Sequence, residues 1–104
     1  MEFREIQKYV LENAARYGKQ HNVNMDEDFA LLKLGEEFGE FMQAVLILRK
    51  QCREEKYVSD EEARAEVAKE LADIVGMAIV AADRLGVDIE EALTEKWMKR
   101  VMNK

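Results

Sequence analysis

Apolar residues recur along this chain at intervals of three and four, the spacing that gathers them on one face of an α-helix. Phe3, Ile6, Val10, Ala14 and Tyr17 form the first series, with Gly18 the expected stop before a loop reading KQHNVN. The series resumes at Phe29 and continues through Leu32, Leu34, Phe38, Phe41, Val45 and Leu48, predicting a second helix that ends near Cys52. Asn24 or Asp26 is positioned to cap it, with Glu27 completing a box from Asn24. The polar stretch REEKYVSDEE is the connection to a third helix, expected from Asp60 to Leu85. Ser59 and Glu62 form a capping box at its start, and Gly86 suits the left-handed position beyond its end. Asp88 and Glu91 form another box, opening a fourth helix from Ile89 to about Met102.

Punctuation settles the fold class. The chain has no proline and only five glycines, too few for the turns that strands require. Its 104 residues suit one domain spanning 1–104 with one core, and the expected architecture is an all-α, compact antiparallel four-helix bundle. Phe3, Tyr9, Phe29, Phe38, Phe41, Trp97 and six methionines are more apolar surface than one layer of helices covers, so a homodimer or homotetramer is expected.

Charge and cysteine content exclude several classes. The 22 acids outweigh 16 Lys and Arg, giving a formal charge of −6, the wrong sign for a protein that grips duplex nucleic acid by its phosphates. Cys52 stands alone, so neither an internal disulfide nor a zinc-binding thiolate pair can form. MEFREIQKYV contains early acids and no apolar signal core, and the longest uncharged run, Ile74 to Ala82, is too short to span a bilayer. A cytoplasmic location without membrane attachment is expected.

The stretch KLGEEFGEFMQ, Lys33 to Gln43, complicates the apolar pattern by carrying Glu36, Glu37 and Glu40. Residues three apart share a helix face, so Glu37 and Glu40 lie side by side; Glu70 and Asp73 repeat the arrangement on the third helix. Two carboxylates about 4 Å apart repel by roughly 4 kcal/mol at an effective dielectric near 20. If the two helices face each other, the quartet needs positive charge, from basic side chains or from a hard divalent cation. Mg²⁺ suits a few carboxylates and keeps water or phosphate in its remaining positions. The alternative is that both pairs are solvated helix surface, and spacing leaves the two open. A di-iron bundle would need Glu-x-x-His ligands, but the only histidine is His21 and Gly18 stands three before it.

EEFGE followed by ELAD resembles the paired motif, Glu-Glu-x-x-Glu then Glu-x-x-Asp, of the all-α nucleoside triphosphate pyrophosphatases, the MazG-like superfamily. The resemblance extends through KLGEEFGEFMQA, KELADIVGMAIVAADRLGVDIEEAL and the closing EKWMKR, roughly Leu31 to Arg100. It implies Glu37, Glu40, Glu70 and Asp73 as Mg²⁺ ligands, with Mn²⁺ able to substitute, and Glu36 as the base that orients water or as a neighbour of the ligands. The implied reaction cleaves a nucleoside triphosphate between its α- and β-phosphates, giving a monophosphate and pyrophosphate, in dimers or dimers of dimers. Lys33, Lys96, Lys99 and Arg100 become candidates for phosphate contact and Trp97 for stacking on a base. Each has an ordinary alternative: cations favour a helix C-terminus, and Trp97 suits a core or interface. Thr94 stands where many relatives carry asparagine, KQHNVN lacks the tryptophan common in that loop, and the spacer from Glu40 to Glu70 is long, so base selectivity does not carry over. House-cleaning of nucleotide pools is the expected role. Phosphoribosyl-ATP pyrophosphohydrolase activity shares the motifs, although Phe38-Gly39 leans to the MazG-like branch, and a non-catalytic oligomeric helical protein is the third reading.

Overall fold

Side-chain caps decide where three of the helices begin. Asp26 Oδ1 accepts from the Phe29 amide at 2.9 Å, Ser59 Oγ from Glu62 at 3.1 Å, and Asp88 Oδ1 from Glu91 at 3.0 Å. Each satisfies an amide that the first turn of a helix leaves without a partner. The computed structural model describes residues 1–102, and its regular structure is helical, with no strand among the described residues. In chain order the elements are α1 (Phe3–His21), α2 (Glu27–Leu48), a 3₁₀ turn (Glu54–Lys56), α3 (Asp60–Leu85), α4 (Ile89–Leu93), a π-helical stretch (Thr94–Met98) and α5 (Lys99–Met102).

Three boundaries depart from the sequence reading. Gly18 lies inside α1 rather than ending it; α1 runs to His21 and Asn22 takes the left-handed conformation beyond it, with φ 54°. The glycine serves close packing instead. A Cβ there would sit 2.8 Å from Met25 Cγ and 2.9 Å from the Val23 carbonyl oxygen. At the other end of the loop, of the two caps the sequence offered, Asp26 is the one that forms. α2 ends at Leu48, short of Cys52, because Lys50 turns left-handed at φ 55° and the Gln51 amide closes back on the Leu46 carbonyl at 2.8 Å. The expected fourth helix is interrupted: the Lys99 amide bonds to the Thr94 carbonyl five residues back, and Thr94 Oγ1 donates to the Glu90 carbonyl at 2.9 Å. α3 begins and ends as its sequence signals indicate, with Gly86 at φ 71° beyond it.

The chain divides into two compact units, Leu31–Ala78 and the remainder on either side of it. In the unit formed by Met1–Ala30 and the chain from Ile79 onward, Ile79, Val80, Ala81 and Ala82 are buried with Ala14, Gly18 and Ala30. Arg84 fixes this unit's loop to α3 by donating from Nε to the Met25 carbonyl at 2.6 Å. In the Leu31–Ala78 unit, α2 and α3 run antiparallel. Ala44 and Ala63 line a common cavity, and Lys50 reaches Asp60 at 3.3 Å, so rising numbers on one helix meet falling numbers on the other. Its buried apolar residues are small, Ala44 and Ala63. Phe38 and Leu32, which the periodicity places on the core face, are 51% and 77% exposed. Among the described residues no helix is long and apolar enough to cross a membrane.

Gly18→Ala should lower the melting temperature, because the new methyl displaces the Val23 carbonyl at a cost of about 1–3 kcal/mol. Gly35→Ala meets nothing within 4 Å and should gain up to about 1 kcal/mol from helix propensity. Thermal melts of the two variants check the packing role, which a stabilised Gly18→Ala would contradict.

Candidate metal centre

Glu37 and Glu40 stand one turn apart on α2, and Glu70 and Asp73 one turn apart on α3. The antiparallel pairing of the two helices brings the pairs face to face. One carboxylate oxygen from each residue lies within 4.8 Å of the others. The surroundings are graded: Glu37 is 5% exposed, Glu40 and Glu70 are half-buried, and Asp73 is exposed. Glu37 Oε2 and Glu70 Oε2 are buried without any hydrogen-bond partner. Ionising a carboxyl so placed costs free energy, because its charge would sit on an oxygen with no donor beside it.

The electrostatics follow from that geometry. Burial, then the charge of Glu40 and a hydrogen bond to it, push the Glu37 carboxyl up to about 7 from its ordinary 4.5. Glu70 is also raised, first by desolvation and then by Glu40 and Asp73. Lys33 supplies the nearest positive charge. Its ammonium hydrogen-bonds Glu36 and lies 3.7 Å from Glu37 Oε1, and the bond to Glu36 holds its pKa above the usual lysine value. One ammonium is shared between Glu36 and Glu37; among the described residues Glu40, Glu70 and Asp73 form no ion pair, and Lys69 is the weakest of the influences on Glu70. A hard divalent cation fits the donor set: four carboxylates converge, and two of their oxygens lack any other partner. The solvated-surface alternative fails for Glu37, which is buried.

The other candidates are placed as follows. Glu36 is 56% exposed at its side chain and held by Lys33. The Lys33 pairing was visible as the i, i+3 and i, i+4 spacing of KLGEE, but the sequence reading assigned this lysine to substrate alone. Lys96, Trp97 and Arg100 belong to the other unit and are exposed. Trp97 is 73% exposed, which removes the core reading, and it lies with Lys96 in the π-helical stretch. Sequence reasoning missed a cavity of about 360 Å³ that Glu40 and Glu70 share with residues of the α2–α3 connection, Lys56 and Val58. That connection reads as a plain polar linker, with no motif to mark it.

Among known proteins, the model of the MazG-like family matches residues 34–103, a span that contains all four carboxylates. No curated protein and no solved structure matches the chain.

The raised Glu37 carboxyl makes metal-free stability depend on pH with a definite sign. Its folded pKa of about 7 exceeds the ordinary 4.5, so its contribution is full below pH 4.5 and disappears as pH rises through 7. Unfolding free energy in chelator should fall across that window by up to about 3 kcal/mol. Glu37→Gln, which cannot ionise, should flatten the slope. Denaturant titrations at a series of pH values measure it, and an equal slope in both proteins would remove Glu37 as its source.

Proposed function

The chain belongs to the MazG-like family, and on that premise we propose that it is a Mg²⁺-dependent nucleotide pyrophosphohydrolase. It cleaves (deoxy)nucleoside triphosphates between the α- and β-phosphates and so clears surplus or non-standard nucleotides. The observation that carries this reading is the carboxylate quartet with its two buried, unpartnered oxygens. Glu37, Glu40, Glu70 and Asp73 would hold the Mg²⁺, or Mn²⁺ in its place. The ion, when bound, supplies Lewis-acid polarisation of the phosphoryl group and neutralises charge on the departing pyrophosphate.

The remaining chemistry falls to side chains. Water oxygen bonds to the α-phosphorus as the bond to the bridging oxygen breaks, and the water's proton needs an acceptor. Glu36 takes that role: it is exposed, next in sequence to Glu37, and oriented by its hydrogen bond to Lys33. Lys33 in turn limits the negative charge that an incoming triphosphate meets. Lys96, Trp97 and Arg100 lie in the other unit and are exposed, and this reading gives them no part in the chemistry at the quartet. The helical chain works in the cytoplasm with a second copy against it. Supporting this, Phe38, Met42 and Leu46 on α2 and Leu71 and Val75 on α3 are all exposed, more apolar surface than a small monomer normally leaves in water.

Incubation with a panel of nucleoside triphosphates and Mg²⁺ should release pyrophosphate and monophosphate; diphosphate plus orthophosphate would overturn the cleavage position. Asp73→Asn should abolish most turnover. It should also lose the Mg²⁺-induced rise in melting temperature, since a ligand of the folded state stabilises by RT ln(1 + [L]/Kd). A full Mg²⁺ increment in the variant would rule out the quartet as the metal site.

Light scattering at micromolar concentration should return the mass of two or four chains. The mass of one chain would show that the apolar faces of α2 and α3 are left bare.

A further inference from the structure

Glu40 and Glu70 face two ways: toward the other carboxylates and into the cavity of about 360 Å³ between α2, α3 and their connection. A molecule bound to metal at the quartet therefore has this cavity directly beside it. Its floor is apolar. Ala44 and Ala63 are buried there, and Ile47 and Val58 join them in the lining, so this part of the cavity offers apolar side chains without donors or acceptors.

The rim is polar, and its charge restricts the occupant. Glu66, Glu40 and Glu70 are acidic, and Lys56 is the one basic residue in the lining. A polyphosphate tail would meet three carboxylates and one ammonium, the reverse of what phosphate binding needs. An uncharged planar ring with a polar edge meets none of that repulsion. It lies on the alanine floor and turns its edge to the Gln43 amide, which both donates and accepts, and to the Lys56 ammonium, which donates.

The Lys56 ammonium is free to make such a contact. The 3₁₀ turn fixes its backbone, with the Lys56 amide on the Arg53 carbonyl at 2.9 Å and the Tyr57 amide on Glu54 at 2.9 Å. Among the described residues no carboxylate forms an ion pair with Lys56, whereas Lys50 pairs with Asp60 and Lys69 approaches Glu66 at 4.0 Å.

We propose that this cavity seats the nucleobase of the substrate and that Gln43 and Lys56 read its edge, which places base selectivity in the α2–α3 hairpin. The inference rests on the pyrophosphohydrolase reading and adds to it the residues that choose among substrates.

The test compares Gln43→Leu/Lys56→Met with the parent. Both residues are exposed, so the double variant should keep the parent's melting temperature. Substrates are the common ribonucleoside and deoxyribonucleoside triphosphates, their non-standard inosine and deoxyuridine counterparts, and methyl triphosphate, which carries the same reacting phosphates without a base. The spread of kcat/KM among the bases should contract by about tenfold, through KM. Turnover of methyl triphosphate should be unchanged. An unaltered spread would overturn the proposal. A parallel loss on methyl triphosphate would do so too, by assigning Lys56 to phosphate. Should the parent hydrolyse none of these substrates, the reaction reading fails and the cavity is judged by binding alone. Metal-free nucleosides at millimolar concentration should then shift the methyl resonances of Ala44 and Ala63 in the parent and not in the double variant. Absence of any shift in the parent, or equal shifts in both proteins, would exclude a base-reading cavity.

Discussion

Four carboxylates within 4.8 Å of one another set the terms for the Leu31–Ala78 unit. Every favourable contact between α2 and α3 near Glu37 and Glu70 is made against their mutual repulsion and against the burial of two oxygens that nothing solvates. The apolar residues buried there are alanines, which let the helices approach but contribute little hydrophobic stabilisation. A helix pair built only for stability would place leucine where Glu37 stands. Local conflict of this kind, kept at one place while the caps and turns around it are regular, is where function is expected.

Lys33 shows how far the protein itself relieves that conflict. It reaches Glu37 but spends its shortest bond on Glu36, at the solvent side of the cluster. The arrangement orients Glu36 and leaves the inner oxygens unpaired. An ammonium placed centrally would stabilise the metal-free protein, yet it would compete with a cation for the same oxygens. The carboxylates thus remain available at the cost of a raised Glu37 pKa.

The regular parts of the structure serve to hold this cluster in register. Asp26 and Ser59 fix where α2 and α3 start, and Lys50 in its left-handed conformation ends α2. The Lys50–Asp60 pair then joins the end of α2 to the start of α3. The connection between them is ordered by its own 3₁₀ turn and by the Lys50–Asp60 pair, so Lys56 and Val58 stand beside the cluster rather than away from it.

By itself the sequence determined the helical class, the extent of α3 with its Ser59 cap and Gly86 stop, and the identity of the four carboxylates. All of these rest on local chemistry: periodicity, capping and i, i+3 spacing act within one or two turns. Tertiary structure decided the rest. Gly18 reads as a stop until Val23 and Met25 are seen to pack where its side chain would be. The π-helical turns at Thr94–Met98 follow no motif in TEKWM, and the exposure of Phe38 cannot be read from a periodicity that says only which residues share a face. Spacing left the carboxylates open between solvated surface and shared site, because the answer depends on which helix lies opposite. That is a long-range fact, and it appears only when the antiparallel pairing puts Glu70 and Asp73 against Glu37 and Glu40.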